Sequence, residues 1–110
     1  MKLSDVEKYL LSLPHATLNI QWGNDRVFKI GGKMFAVIGV NDDKSAHGLC
    51  FKTADDSFRI LTELPGIIPA PYLARAQWVW MDRPTRLPAR DLRAYLARAH
   101  GLIEIGRAHV

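Results

Sequence analysis

Apolar and polar positions alternate with period two on both sides of a glycine pair, in Val27-Phe-Lys-Ile-Gly-Gly-Lys-Met-Phe-Ala-Val-Ile-Gly-Val40. Gly31-Gly32 supplies the positive φ that a tight hairpin turn needs, and β-branched and aromatic residues flank it. The pattern predicts a hairpin with Ile30 opposite Lys33 and Phe28 opposite Phe35. Phe28, Ile30, Phe35 and Val37 then face the core, and Lys29, Met34, Ala36 and Ile38 face away. Lys29 and Lys33 leave the turn on opposite faces, and solvated charge at a soluble tip accounts for both without any partner.

The rest of the chain is read around this hairpin. Ser4-Asp-Val-Glu7 predicts a capping box, followed by Val6, Leu10 and Leu13 at helical spacing until Pro14. Tyr9 lies beside that stripe and is expected to pack on the core. Asn19–Trp22 predicts a short strand before the turn Gly23-Asn-Asp25, with Trp22 as an aromatic lid on the core. Asn41–Ser45 is a polar turn, and its paired aspartates lack the further oxygen ligands and closing glutamate of a calcium loop. Gly48–Lys52 predicts a strand with Leu49 and Phe51 on one face and Cys50 and Lys52 on the other.

Thr53 is then expected to cap a helix over 54–64, with Asp55 and Asp56 favouring its positive dipole end and Phe58, Leu61 and Leu64 facing inward. Ile67–Leu73 reads as a proline-fixed crossing segment. Gln77–Asp82 predicts a strand with Trp78 and Trp80 on one face. Arg83–Arg86 is its exit turn, and Pro88 opens a last helix with Leu92, Leu96, Ala99 and Ile103 inward. The order is α-β-β-β-β-α-β-α, an α+β domain.

At 110 residues the chain is expected to form one domain, and 48% apolar with 24% charged residues is ordinary for a globular protein. It contains no apolar run of membrane-spanning length and no signal-like N-terminus, and the lone Cys50 fits a reducing compartment; a cytoplasmic monomer is expected. The net charge of +4 is unevenly placed. Through Ala70 eight Lys/Arg balance eight Asp/Glu; beyond it seven arginines face three acids, 7 − 3 = 4. An arginine-rich half suits a polyanion, because the guanidinium fork grips phosphate in two places. Arginine's good helix propensity, together with GC-rich codon usage, explains the same residues without binding.

For nucleic acid the candidates are Lys29, Lys33, Lys52, Arg75, Arg83, Arg86, Arg90 and Arg93, with Tyr72 and Trp78 as stacking groups. They would hold phosphates; no side chain is identified for a base edge. The aromatics serve equally as core. Catalysis is not expected. His15, His47, His100 and Cys50 are scattered, and His47 and Cys50 are predicted on opposite strand faces, which argues against a nucleophile–base pair. Gly31-Gly32-Lys33 lacks the first glycine and the Ser/Thr of a phosphate-binding loop. No cofactor is implied.

The succession of a capped helix, Trp22-Gly23, Val27–Ala36, Leu49–Lys52, Pro65-Gly-Ile, Pro69-Ala-Pro-Tyr-Leu and Trp78-Val resembles the MmcQ/YjbR family from the first helix to about Ile103. The resemblance implies a CyaY-like two-layer α/β sandwich with helices packed on a twisted antiparallel sheet. It also implies DNA binding, since two hairpin-like wings recognised in the fold are the basis of that description of its members. Trp80 departs from the less bulky residue expected there. Iron-binding frataxins share the CyaY-like fold, but an iron site would need a carboxylate ridge, and the first helix offers only Asp5 and Glu7, both assigned to capping. Relatives near drug-resistance and biosynthesis functions suggest an alternative, a cleft of Trp22, Tyr72, Trp78 and Trp80 holding a planar aromatic ligand or a protein partner.

Residues 104–110, Glu-Ile-Gly-Arg-Ala-His-Val, are what the sequencing-adapter string GAGATCGGAAGAGCACACGTC encodes in frame. They are expected to be a translated scar with the natural C-terminus missing, leaving 1–103 as the domain.

Overall fold

The hairpin predicted around Gly31-Gly32 forms the second and third strands of a six-stranded, fully antiparallel sheet. The computed structural model describes residues 1–41, 46–71 and 73–108; at 46, 75 and 105–108 only the backbone is described. Helix α1 (Leu3–Ser12) leads into β1 (Ala16–Gln21), β2 (Asp25–Ile30), β3 (Lys33–Val40) and β4 (Ala46–Lys52). After α2 (Asp55–Leu61) come β5 (Ile67–Pro69), a 3-10 turn Ala74–Ala76 and β6 (Trp78–Met81). A second 3-10 turn, Pro84–Arg86, leads to α3 (Ala89–Ala108). The strand order is β1-β2-β3-β4-β6-β5, with the helices on one face. This is the predicted α/β sandwich, with the crossing segment adding an edge strand: Ile67 pairs with Met81 and Pro69 with Val79.

The hairpin turns where expected, with Gly31 at φ 57° and Gly32 at φ 82°, and Ile30 faces Lys33. Its register then shifts. Lys29 pairs with Met34 but Phe28 with Ala36, so Phe35 is an extra residue on β3, a β-bulge. Because strand side chains alternate, one extra residue exchanges the faces of everything beyond it. Phe35, Ala36 and Ile38 therefore join Phe28 and Ile30 under the helices, while Val37 goes to the opposite face with Val27. The expected placement of Val37, Ala36 and Ile38 is corrected accordingly.

The bulge gives the sheet two unequal cores. On the helix face, Phe28, Phe35, Phe51 and Met81 pack against Val6 and Leu10 of α1, Leu61 of α2 and Leu92, Leu96 and Ala99 of α3. On the back face, Val27, Val37 and Trp78 are covered by Ala70 and Leu73 of the β5–β6 connection, with Met34, Cys50 and Trp80 at the margin.

Two expected helix caps are replaced, and an expected lid is absent. α1 begins at Leu3, where the Lys2 N–H donates to the Asp5 carboxylate (3.1 Å), so Ser4 lies inside the helix and Glu7 is free to pair with Arg26. Thr53 is buried and donates both its N–H (2.9 Å) and its hydroxyl (2.8 Å) to the Gln77 carbonyl, leaving Ala54 as the cap of a shorter α2. Trp22 is no lid: it stands 64% exposed on the β1–β2 turn at φ 52°.

Gly48 marks where β4 must admit Trp80. Its φ is +79°, and a Cβ there would lie 2.4 Å from the Trp80 indole nitrogen; Gly32, at φ +82°, has open space. Gly32→Ala is expected to cost about 1–2 kcal/mol, the left-handed penalty alone. Gly48→Ala adds overpacking of about 1–3 kcal/mol. Urea unfolding of both variants checks the ranking, and equal losses would contradict the Trp80 contact.

Candidate nucleic-acid interface

Strand register sorts the predicted basic residues into three places. Lys29 and Lys52 share the back face, because each alternates with a residue of the Trp78 core, Val27 and Cys50 respectively. With β3 between them, their backbones stand two strand spacings, about 10 Å, apart. Lys33 follows at the hairpin turn, exposed, on the face opposite Lys29. The 3-10 turn carrying Arg75 lies at this same end of the sheet, since the Lys52 ammonium donates to the Ala76 carbonyl. Neither Lys29, Lys33 nor Lys52 has a carboxylate within salt-bridge distance among the described residues. Asp56, nearest in sequence along with Asp55, accepts from the Ser57 N–H instead (2.8 Å). Tyr72 lies outside the described residues, as does the Arg75 side chain.

Arg83 and Arg86 sit at the opposite end of β6, and Arg86 is a structural residue. Its Nε and Nη2 each donate to Asp82, at 2.7 Å to Oδ1 and 2.7 Å to Oδ2. The guanidinium lies on Gly66, where a Cβ would approach Nε to 2.1 Å, and the Asp82 N–H reaches the Gly66 carbonyl (3.1 Å). The Arg86 hydrogen bonds, with the charges of Arg86 and Arg83 beside them, hold the Asp82 carboxyl down at about 2, and Asp82 in turn raises Arg86. Arg83 is 3.7 Å from Asp82 with its side chain mostly exposed. Arg90 and Arg93 project from the outer side of α3, on the layer opposite Lys29 and Lys52.

The aromatic residues do not line one cleft. Trp22, on the β1–β2 turn, is separated from β6 by at least three strand spacings, about 14 Å. Trp78 is buried by its own chain, and Trp80 packs over Gly48.

Nor do the nucleophile and histidines assemble. Burial, with a smaller contribution from the Asp25 charge, pushes the Cys50 thiol up to about 11, so it stays protonated. The irregularity at Ile38/Val40 and the left-handed Gly48 turn His47 toward Trp80, ring centroids 6.5 Å apart, on the side where Cys50 lies; simple alternation predicted opposite faces. His100 is a core residue, donating from Nε2 to the Pro14 carbonyl (2.7 Å) and meeting Phe35 edge-on at 5.3 Å. Among the described residues no three His, Cys, Asp or Glu side chains gather to hold a metal, and no helix is long and apolar enough to cross a membrane.

One concavity was not legible in the sequence. A groove of about 410 Å³ opens between the first turn of α1 and the β1–β2 end, lined by Leu3, Ser4, Ile20, Asn24, Ile38 and Val40 with the Glu7–Arg26 pair. Assigning Glu7 to a cap concealed it, because the cross-element pair forms part of its lining.

Comparison with known proteins settles the lineage. The YjbR family model matches residues 11–102, from the end of α1 into α3. The chain belongs to the YjbR family. Its fold is similar to the crystal structure of Deinococcus radiodurans protein DR2400, whose domain is described as DUF419, with a TM-score of 0.79 and 22% identity over 93% of this chain and 78% of that one. No curated protein matches the chain. The YjbR assignment agrees with the resemblance drawn from the hairpin and the Pro69–Trp78 segment, and it carries the fold.

A consequence of the Asp82–Arg86 lock is a pH response. A carboxyl depressed in the folded state stabilises it fully above the unfolded pKa, near the ordinary 3.8, and that contribution is lost as pH falls toward about 2. In Arg86→Ala, NMR titration of the Asp82 carboxyl carbon should return toward 3.8, and the acid-unfolding midpoint should change with it. A midpoint for Asp82 unchanged in the variant would contradict the assignment.

Proposed function

We propose that this YjbR-family chain is a non-enzymatic protein that contacts duplex DNA weakly and mainly through phosphates, using the sheet end that carries the β2–β3 turn. The observation that carries the reading is the placement of Lys29, Lys33 and Lys52 at one end of a rigid sheet without carboxylate partners among the described residues. Lysines whose backbones stand a strand spacing or two apart can neutralise neighbouring phosphates and release their counterions. Arg75, one residue before the carbonyl that holds Lys52, extends the same end. Arg90 and Arg93 belong to a separate surface, and Arg86 is engaged by Asp82, so the arginine-rich half contributes less than its count suggests. The half-buried thiol, held protonated, and the dispersed histidines favour a binding role over catalysis.

Fluorescence anisotropy with random-sequence duplex over a salt series tests this reading. Three or four neutralised phosphates give log K falling with log salt at a slope of about −3 to −4. Lys29→Gln/Lys33→Gln/Lys52→Gln is expected to weaken binding at all sequences alike and to flatten the slope by about 3. Absence of binding at low salt would overturn the proposal, and a triple variant with the wild-type slope would move the contact elsewhere.

A further inference from the structure

The two edges of the sheet are guarded very differently. β5 is three residues long and ends in Pro69, two features that discourage strand addition. β1, Ala16-Thr-Leu-Asn-Ile-Gln21, is six residues long, pairs on one side only, and contains no charge, proline or bulge. The sequence concealed this, because the pattern placed only Asn19–Trp22 in the strand. On β1 itself Ile20 stands 53% exposed, and the exposed Trp22 follows it directly on the β1–β2 turn. Gln21 on β1 also holds a buried side-chain oxygen, Oε1, with no hydrogen-bond partner.

We propose that β1 pairs antiparallel with β1 of a second copy of this chain, across a two-fold axis through Asn19, making a continuous twelve-stranded sheet. A two-fold perpendicular to the sheet keeps each face with its like, so only residues of the same parity oppose one another. Centred on Asn19, Ile20 meets Leu18 of the other copy twice on the helix face. On the back face Asn19 meets Asn19, and Gln21 meets Thr17, whose hydroxyl reaches the Lys29 carbonyl at only 3.4 Å. The competing register centred on Leu18 would enlist Ala16, whose N–H is already given to the Leu13 carbonyl (3.2 Å). The second copy is favoured over a foreign strand because this pairing matches apolar with apolar and amide with amide without bringing any charge together. A contact of about five residues per strand is small, so the dimer is concentration-dependent. This inference is independent of the DNA reading.

Sedimentation equilibrium of the full chain over a concentration series tests it. The wild type should rise from monomer toward dimer mass. Asn19→Lys and Asn19→Asp, at an exposed position and checked for native circular dichroism, should each stay monomeric, and their mixture should form a heterodimer. Asn19→Cys offers a second readout. Directly opposed residues in antiparallel strands lie within about 5.5 Å, within disulfide reach, so air oxidation should yield a covalent dimer, and the half-buried Cys50, whose thiol is pushed up to about 11, should not compete. A wild type that remains monomeric at every concentration overturns the proposal, as does a dimer unaffected by Asn19→Lys or a mixture that fails to associate.

Discussion

The extra residue at Phe35 decides how the rest of the molecule is arranged. With Phe28 paired to Ala36, two consecutive residues of β3, Phe35 and Ala36, face the helices, and every later position changes sides. Phe35 then meets His100 of α3, which is bonded to the Pro14 carbonyl, so the bulge, α3 and the α1–β1 connection are joined through one buried ring. Val37 goes to the back face, where with Val27 it forms the seat for Trp78. Removing the Phe35 ring would cost about 3–5 kcal/mol in lost burial and cavity formation together, and would leave His100 without its aromatic neighbour.

The back face follows from that switch. Trp78 and its cover from Ala70 and Leu73 are a second core on a sheet side that would otherwise be open. Strand alternation outward from this core places Lys29 and Lys52 on the same face, near the turn that bears Lys33. Their common position is thus a by-product of packing, which is why it is rigid. At the other end of β6, Asp82, Arg86 and Gly66 tie the exit turn to the α2–β5 connection, consuming an arginine that composition alone would count as available.

Much of this was legible in the sequence. Period-two alternation and the glycine pair identify the hairpin, the helical stripes identify α1 and α3, and Trp78 and Trp80 share a face as predicted. What alternation cannot register is an insertion of one residue, since Val37 and Ile38 suit either face equally. Local chemistry misled where a tertiary partner outbid it: Glu7 goes to Arg26 and Thr53 to Gln77, neither visible from neighbours in sequence. The basic candidates fall on separate surfaces, a division invisible in the sequence because their grouping depends on strand order. Placing β6 between β4 and β5 requires knowing that Ile67–Pro69 is a strand, which Pro69 and the nearby Pro65 and Pro71 obscured.

On the proposed DNA-binding reading, the sheet end bearing the β2–β3 turn, rather than the outer side of α3, is where a polyanion is met. Amide chemical-shift mapping during titration with random-sequence duplex at low salt tests this most directly. Shifts concentrated at 29–34, 52 and 74–76, with 90 and 93 unmoved, are the expected result. Shifts centred on Arg90 and Arg93 with a silent β2–β3 turn would contradict it.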